Sequence, residues 1–238
     1  SKLASSISVV RRFGPGLMHQ KLLVIDNKQT WVGSANLTTE SLRMHGNLVA
    51  AIESPSLANL ITAKGKSLNP EGRDSHIPHE LFNINGQNIE MWFLPDDQKK
   101  AIQRIKELIA SAQKTIRIAM FTWTRYDFAN ALIAAKKRGV NAEVVIDHAS
   151  AKGTSSKIVK LLKKGGIPVS LSPGGNALLH HKFAYIDGKV LVNGSANWTK
   201  AAFTQNDDCF IVVHNLTEEQ KKEMDSLWKV IKTESTAQ

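Results

Sequence analysis

Two separated stretches of the chain carry the same reactive side chains at the same spacing. Residues 19–36 read HQKLLVIDNKQTWVGSAN and residues 180–197 read HHKFAYIDGKVLVNGSAN. The first supplies His19, Lys21, Asp26, Gly33, Ser34 and Asn36; the second supplies His180, Lys182, Asp187, Gly194, Ser195 and Asn197. Imidazole, ammonium, hydroxyl and amide in one set suit an anionic phosphodiester. The cation and the polar donors neutralise and orient the phosphate, and an imidazole attacks phosphorus or moves a proton. A single His-x-Lys would read as an ordinary half-exposed strand, but two complete copies in register select the chemical reading.

The spacing asks for hairpins. The apolar runs LLVI and FAYI end in Asp26-Asn27 and Asp187-Gly188, turn pairs that are followed by TWV and VLV. Residues two apart on a strand share a face, so His19 points with Lys21 and His180 with Lys182. Ser34 with Asn36, and Ser195 with Asn197, are expected to do the same on the next extended piece. Each copy therefore predicts a phosphate cradle on one side of a sheet, with these serines and asparagines binding the phosphate. Asp26 and Asp187 are expected to hold the turns, and Gly33 and Gly194 to permit close backbone approach.

The pattern H-x-K-x4-D-x6-G-S-x-N resembles the HKD signature of the phospholipase D superfamily. The resemblance runs through the second half, from MWFLPDDQKKAIQRIKELIASAQKTIRIAMFTWT and ALIAAKKRGVNAEVVIDH to the motif and its following strand. In the first half it begins at the motif. It implies a metal-independent double displacement without a cofactor: one His forms a phosphohistidine, and the other protonates the departing alcohol and then activates water or a second alcohol. It also implies an acidic support about fourteen positions past the motif glycine, where this sequence has Asp208 in the second copy and Asn47 in the first. A carboxylate stabilises an imidazolium, whereas an amide orients a neutral ring. With the family's arrangement in two-motif chains, this assigns His19 as nucleophile and His180 as general acid/base. Asn47 departs from the family pattern, and Glu40 and Glu53 are candidates to compensate.

The 238 residues carry a formal net charge of +10 with a pI near 9.7, which favours nucleic acid, phospholipid headgroups or acidic surfaces as partners. The one cysteine, Cys209, excludes a disulfide framework and a cysteine-rich zinc site. HIPH at 76–79 lacks further ligands at zinc spacing, so neither metal nor cofactor is expected. No apolar run reaches the roughly 18 residues of a membrane span, and SKLASSISVV lacks the apolar core of a signal peptide. The absent initiator Met points to a native start upstream. No compartment or oligomeric state is selected, and peripheral membrane contact fits the charge.

Stepping along the chain, residues 5–13 read as a β-prone run, LTTESLRMHG as a short helical turn, NLVAAIE as a strand and PSLANLITAKGKSL as a helix. Residues 69–88, rich in Pro, Asn and Gly, read as a linker. From Ile89 onward strands and helices alternate, with Asp96 or Asp97 capping a helix. The expected fold is α/β, with two pseudo-symmetric lobes that are each a mixed β-sheet flanked by helices. The first, 1–83, is incomplete at its N-terminus; the second, 84–238, is complete. His181 faces away from His180 and reads as scaffold, Trp123 is expected to border the pocket, and Asp147 to serve either pocket or scaffold. The first choice of activity is hydrolysis or transphosphatidylation of a phospholipid diester. Cleavage of DNA or RNA comes second, and a catalytically weak scaffold for anionic phosphodiesters third.

Overall fold

Each motif folds as the turn chemistry requires. The computed structural model describes residues 6–71 and 74–237; the first five residues, part of the segment read for a signal and of the β-prone run, and residues 72 and 73 of the linker lie outside them. Strands β1 (Leu22–Ile25) and β2 (Gln29–Gly33) pair antiparallel across Asp26-Asn27. The turn residues have φ of 53° and 52°, and the equivalent Asp187-Gly188 has 54° and 67°, the left-handed pair that a type I′ hairpin turn needs. The chain continues as α1 (Thr39–Arg43), β3 (Val49–Glu53) and α2 (Pro55–Ser67).

Residues 80–234 supply β4 (Glu80–Ile84), β5 (Gln87–Leu94), α3 (Gln98–Ser111), β6 (Thr115–Met120), α4 (Tyr126–Lys137), β7 (Asn141–Ile146), α5 (His148–Lys152), α6 (Ser156–Lys164) and β8 (Val169–Leu171). The second motif then gives β9 (Lys182–Ile186), β10 (Val190–Gly194), α7 (Lys200–Thr204), β11 (Asp208–Val213) and α8 (Glu218–Glu234), and β12 (Thr236–Ala237) ends the described chain. The hairpin, short helix, strand and long helix thus recur in order. Thr38 and Thr199 cap the two short helices in the same way, their hydroxyls accepting from the backbone N–H of Ser41 and Ala202.

β1, β2 and β3 form a three-stranded sheet, and the remaining strands form a nine-stranded sheet in the order β12-β8-β7-β6-β9-β10-β11-β5-β4. The neighbours β6, β7 and β8 are parallel, as their helical crossovers demand. One face of the large sheet packs Ile118, Val144, Ala184, Val192 and Phe210 against Ile105 and Ile109 of α3, Leu132 of α4 and Leu162 of α6. The other face packs Met91, Phe183, Cys209 and Ile211 against Leu57 and Ile61 of α2, Trp228 of α8, and Val32 and Ile52 of the small sheet. The two motif-bearing sheets therefore share one core, which fixes the motifs relative to each other. No helix among the described residues is long and apolar enough to cross a membrane.

Several expectations need correction. Residues 80–88 belong to the β4–β5 hairpin, turned at Asn85-Gly86 with positive φ, so the linker ends near residue 79 and the large sheet starts before residue 84. The described part of the β-prone run forms no strand; Arg12 instead pairs with Asp74 and Asp207. Asp97 stands at the N-cap of α3 without a side-chain cap bond, because its carboxylate accepts from the His79 backbone N–H and approaches His79 Nδ1 at 2.6 Å. Asp96 binds Lys64 Nζ at 2.9 Å. Trp123, expected at the pocket, is fully buried against Trp198 in the core on the helix side of the sheet.

Asp187 reaches beyond its own turn. Its carboxylate accepts from the backbone N–H groups of Gln113, Lys114 and Thr115 at 2.8, 2.7 and 2.8 Å, tying the second motif's hairpin to the entry of β6. Burial pushes its pKa up, but those three donors outweigh burial and hold it below the ordinary value. Its counterpart Asp26 is exposed and has no such bond among the described residues. The outer face of the small sheet is also uncovered: Leu23, Ile25 and Trp31 are 43%, 39% and 42% exposed. Their counterparts Ala184, Ile186 and Val192 are buried beneath helices.

Candidate active site

The two motifs meet through backbone bridges that cross between them. Met18, just before His19, pairs with Asp207, and Leu179, just before His180, pairs with Gly46. The residue after each bridge is a motif His on one side and a support on the other. Consequently His19 Nδ1 lies 2.7 Å from Asp208 Oδ1, and His180 Nδ1 lies 3.1 Å from Asn47 Oδ1. Each ring is held by the support from the other copy, which reverses the same-copy pairing expected from spacing. Glu40 and Glu53 do not compensate for Asn47: both lie on exposed surface, and Glu53 pairs with Lys28.

These contacts fix the tautomers. Asn47 Nδ2 donates to the carbonyl oxygens of Ser41 and His45 at 2.8 and 3.2 Å, so Oδ1 is the atom that faces His180 and accepts its Nδ1–H. The Asp208 carboxylate likewise accepts from His19 Nδ1–H. Both rings in their neutral form therefore carry the lone pair on Nε2. Lys21 Nζ donates to the His19 carbonyl at 2.5 Å and Lys182 Nζ to the His180 carbonyl at 2.8 Å, placing one ammonium beside each ring.

Ser34 and Ser195 sit behind the site. Both are fully buried; Ser34 Oγ donates to Asn47 Oδ1 at 2.9 Å and Ser195 Oγ to Asp208 Oδ1 at 2.6 Å. They accept in turn from the backbone N–H of Leu48 and Cys209. The expected phosphate-binding serines thus orient the supports, because the chain leaves the strand after Gly33 and Gly194 and strand parity stops there. Asn36 and Asn197 are half-buried, with Asn197 Oδ1 accepting from the Thr122 backbone N–H at 3.2 Å. Gly33 and Gly194 do permit close approach: a Cβ at either would fall against the carbonyl oxygen of Leu48 or Cys209.

Burial and crowded cations govern the electrostatics. Burial first, then Lys182, Lys21, His19 and His45, push His180 down to about 3. Burial lowers Lys21 to about 8, with Asp208 opposing the shift. Lys182 is driven well below its ordinary value by burial and by Lys21. A site this hostile to added positive charge is primed for an anion, whose arrival offsets the repulsion.

Two further side chains, Phe121 and His45, stand beside His180, and neither belongs to a motif in the sequence. Phe121 lies 5.0 Å from the His180 ring, with Lys182 Nζ 4.9 Å from its own centroid; its only sequence signal was its place just past β6. His45 is 6.1 Å from His180, and its signal was its position two residues before Asn47. His181 is buried against Gly46, a scaffold place. Asp147 is also scaffold, its carboxylate accepting from the Leu179 and Ser150 backbone N–H groups at 3.1 Å each. No group of three or more His, Cys, Asp or Glu side chains among the described residues is placed to hold a metal ion.

Known proteins resemble this chain in sequence and fold. Residues 1–68 and 105–228 match the family model described as cardiolipin synthase, PLD-like domain. A mitochondrial cardiolipin hydrolase of Chlamydomonas reinhardtii is 33% identical over 134 residues, 56% of this chain and 59% of that protein. The chain thus spans about three-fifths of that curated relative. Among solved structures, Nuc from Salmonella typhimurium, a phospholipase D family member, aligns with a TM-score of 0.59 and 26% identity over 64% of this chain and 98% of Nuc. A phosphatidylserine synthase of Haemophilus influenzae shares the fold at a TM-score of 0.70 and 13% identity over 94% of this chain and 64% of its own.

Proposed function

Because the chain belongs to the PLD-like domain family of the phospholipase D superfamily, we propose that it is a metal-independent phosphodiesterase acting on phospholipid diesters through a phosphohistidine. The observation that carries this reading is the crossed pairing of His19 with Asp208 and of His180 with Asn47. The crossing draws two rings from distant parts of the chain, each with a lysine bound to its own carbonyl, into one site.

His19 is the nucleophile. Asp208 holds its Nδ1–H, which aims the Nε2 lone pair into the cleft and stabilises the positive ring that forms when nitrogen bonds phosphorus. The carboxylate that spacing assigned to the acid thus supports the nucleophile, and the role of His19 stands on different physics. His180 delivers a proton to the departing alcohol and takes one from the incoming water or alcohol. Lys21 and Lys182 neutralise the phosphate, Asn36 and Asn197 contribute polar contacts at its edge, and Ser34 and Ser195 hold the supports. Cardiolipin hydrolases among the relatives, together with the positive charge, favour a phospholipid and peripheral contact with an anionic membrane surface.

Release of phosphatidate from anionic vesicles, compared with nicking of plasmid DNA in the same EDTA buffer, tests this assignment. Vesicle turnover is expected to dominate. Preferential nicking would transfer the site to nucleic acid, and turnover of neither would leave a binding scaffold. The pH profile offers a second test. Lys21 is charged below about 8 and loses that charge as pH rises through it, so kcat/KM should fall on the alkaline side near that pH. Lys21→Arg, which stays protonated, should carry that limb to higher pH; an unmoved limb would remove Lys21 from phosphate binding.

A further inference from the structure

Asn47 leaves the cleft one ionisable support short, since His19 has a carboxylate behind it and His180 only an amide. A third imidazole stands beside the poorer of the two. The His45 ring centroid is 6.1 Å from that of His180, with the planes tilted by 49°. The corresponding residue in the second copy is Asn206, whose amide faces the Leu17 backbone N–H and Asp208, so an ionisable side chain occurs at this position only where the carboxylate is lacking. His45 Nδ1 is buried without a hydrogen-bond partner among the described residues, while the residue as a whole is half-exposed. With one ring nitrogen buried and the residue partly open to solvent, an imidazole so placed can carry a proton between solvent and the site.

We propose that His45 is the proton-relay residue of the cleft, supplying His180 with the proton that the leaving alcohol takes. The proposal rests on the reading of His180 as the acid. In the resting site the Asn47 contact places the one proton of His180 on Nδ1, leaving Nε2 a base. Protonated His45 passes its proton to Nε2, directly or across one bridging water, as the phosphodiester enters. His19 Nε2 then bonds phosphorus, the P–O bond breaks with its electron pair going to the alcohol oxygen, and that oxygen takes the proton from His180. In the second half-reaction water gives a proton to His180 Nε2, its oxygen bonds phosphorus, and the N–P electron pair returns to His19. The proton moves back to His45, and the cycle closes with atoms and charge balanced.

The charged groups around this pair explain why a relay is needed. Lys182, Lys21, His19 and His45 all disfavour positive charge on His180, Asp208 is bound to His19, and His181 lies against Gly46. Two cations beside a ring with no carboxylate partner leave it unable to store a proton of its own, so the proton waits on the neighbour and crosses only when the anionic substrate offsets the lysines.

The test compares kcat for phosphatidylglycerol, whose alcohol must be protonated, with kcat for bis(p-nitrophenyl) phosphate, whose phenolate leaves without a proton. In His45→Asn, which copies Asn206, the ratio of alkyl to aryl kcat is expected to fall by about 10- to 100-fold relative to wild type. Adding Asn47→Asp should recover much of that ratio by giving His180 its own carboxylate. Equal loss on both substrates would reveal a structural role for His45 and overturn the relay, as would an unchanged ratio. A wild-type protein that cleaves neither diester would overturn the phosphodiesterase reading itself.

Discussion

His19→Asn is expected to lower kcat on any phosphodiester by about four orders of magnitude, the scale on which loss of a unit in a coupled nucleophile, base and carboxylate set is felt. The ring nitrogen proposed to bond phosphorus is gone, while the hydrogen bond to Asp208 can be kept by the amide, so the fold should stay intact. His180→Asn should be comparably damaging to alkyl diesters, yet it should still allow one phosphorylation event from an aryl diester, because the nucleophile survives. An alkaline quench preserves phosphohistidine, and peptide mapping then reads its position. Phosphate on residue 19 in His180→Asn, with none on His19→Asn, is the expected result. Label on residue 180 in the His19 variant would exchange the two roles.

Gly194→Ala is expected to damage stability and the site together. Its Cβ would fall against the Cys209 carbonyl oxygen and the Phe210 Cα, main-chain atoms that cannot swing aside. The two strands would have to part, and overpacking of that kind costs about 3 kcal/mol or more when backbone must move. The damage would not be confined to stability. Ser195 N–H binds the Cys209 carbonyl at 2.9 Å, and Asp208 is the next residue along, so a displaced β11 withdraws the carboxylate from His19. Gly86→Ala is the control: it has φ of +81° with nothing near its Cβ and should cost about 1 kcal/mol with activity kept. Urea unfolding separates the two variants, and equal midpoints would refute the close-approach argument.

Much of the site was legible because its parts obey local rules. Strand parity placed each Lys beside its His, and the Asp-Asn and Asp-Gly pairs predicted both hairpins. The supports came from the family resemblance and were matched to the wrong rings. Spacing aligns Asp208 with His180 and Asn47 with His19, and only the long-range bridges Met18 to Asp207 and Leu179 to Gly46 exchange them. Ser34 and Ser195 were misplaced for a smaller reason, since alternation holds within a strand and both lie just beyond one. The β4–β5 hairpin carried its Asn85-Gly86 signal openly, but the Pro and Asn around it imitated a linker. Phe121 and Trp123 both lie past the end of β6, so alternation does not say that the tertiary fold buries one and sets the other beside His180.

The exchange of partners across the pseudo-twofold makes the unit of inheritance larger than a motif. A change at position 208 is felt by a ring that lies 189 residues earlier, and a change at position 47 by one 133 residues later. Neither copy can drift, be swapped for a homologous segment or be assayed alone without altering the chemistry of the other. Chimeras joined between the copies should work only when both halves come from the same parent, or when the residue at each of these two positions travels with its opposite His.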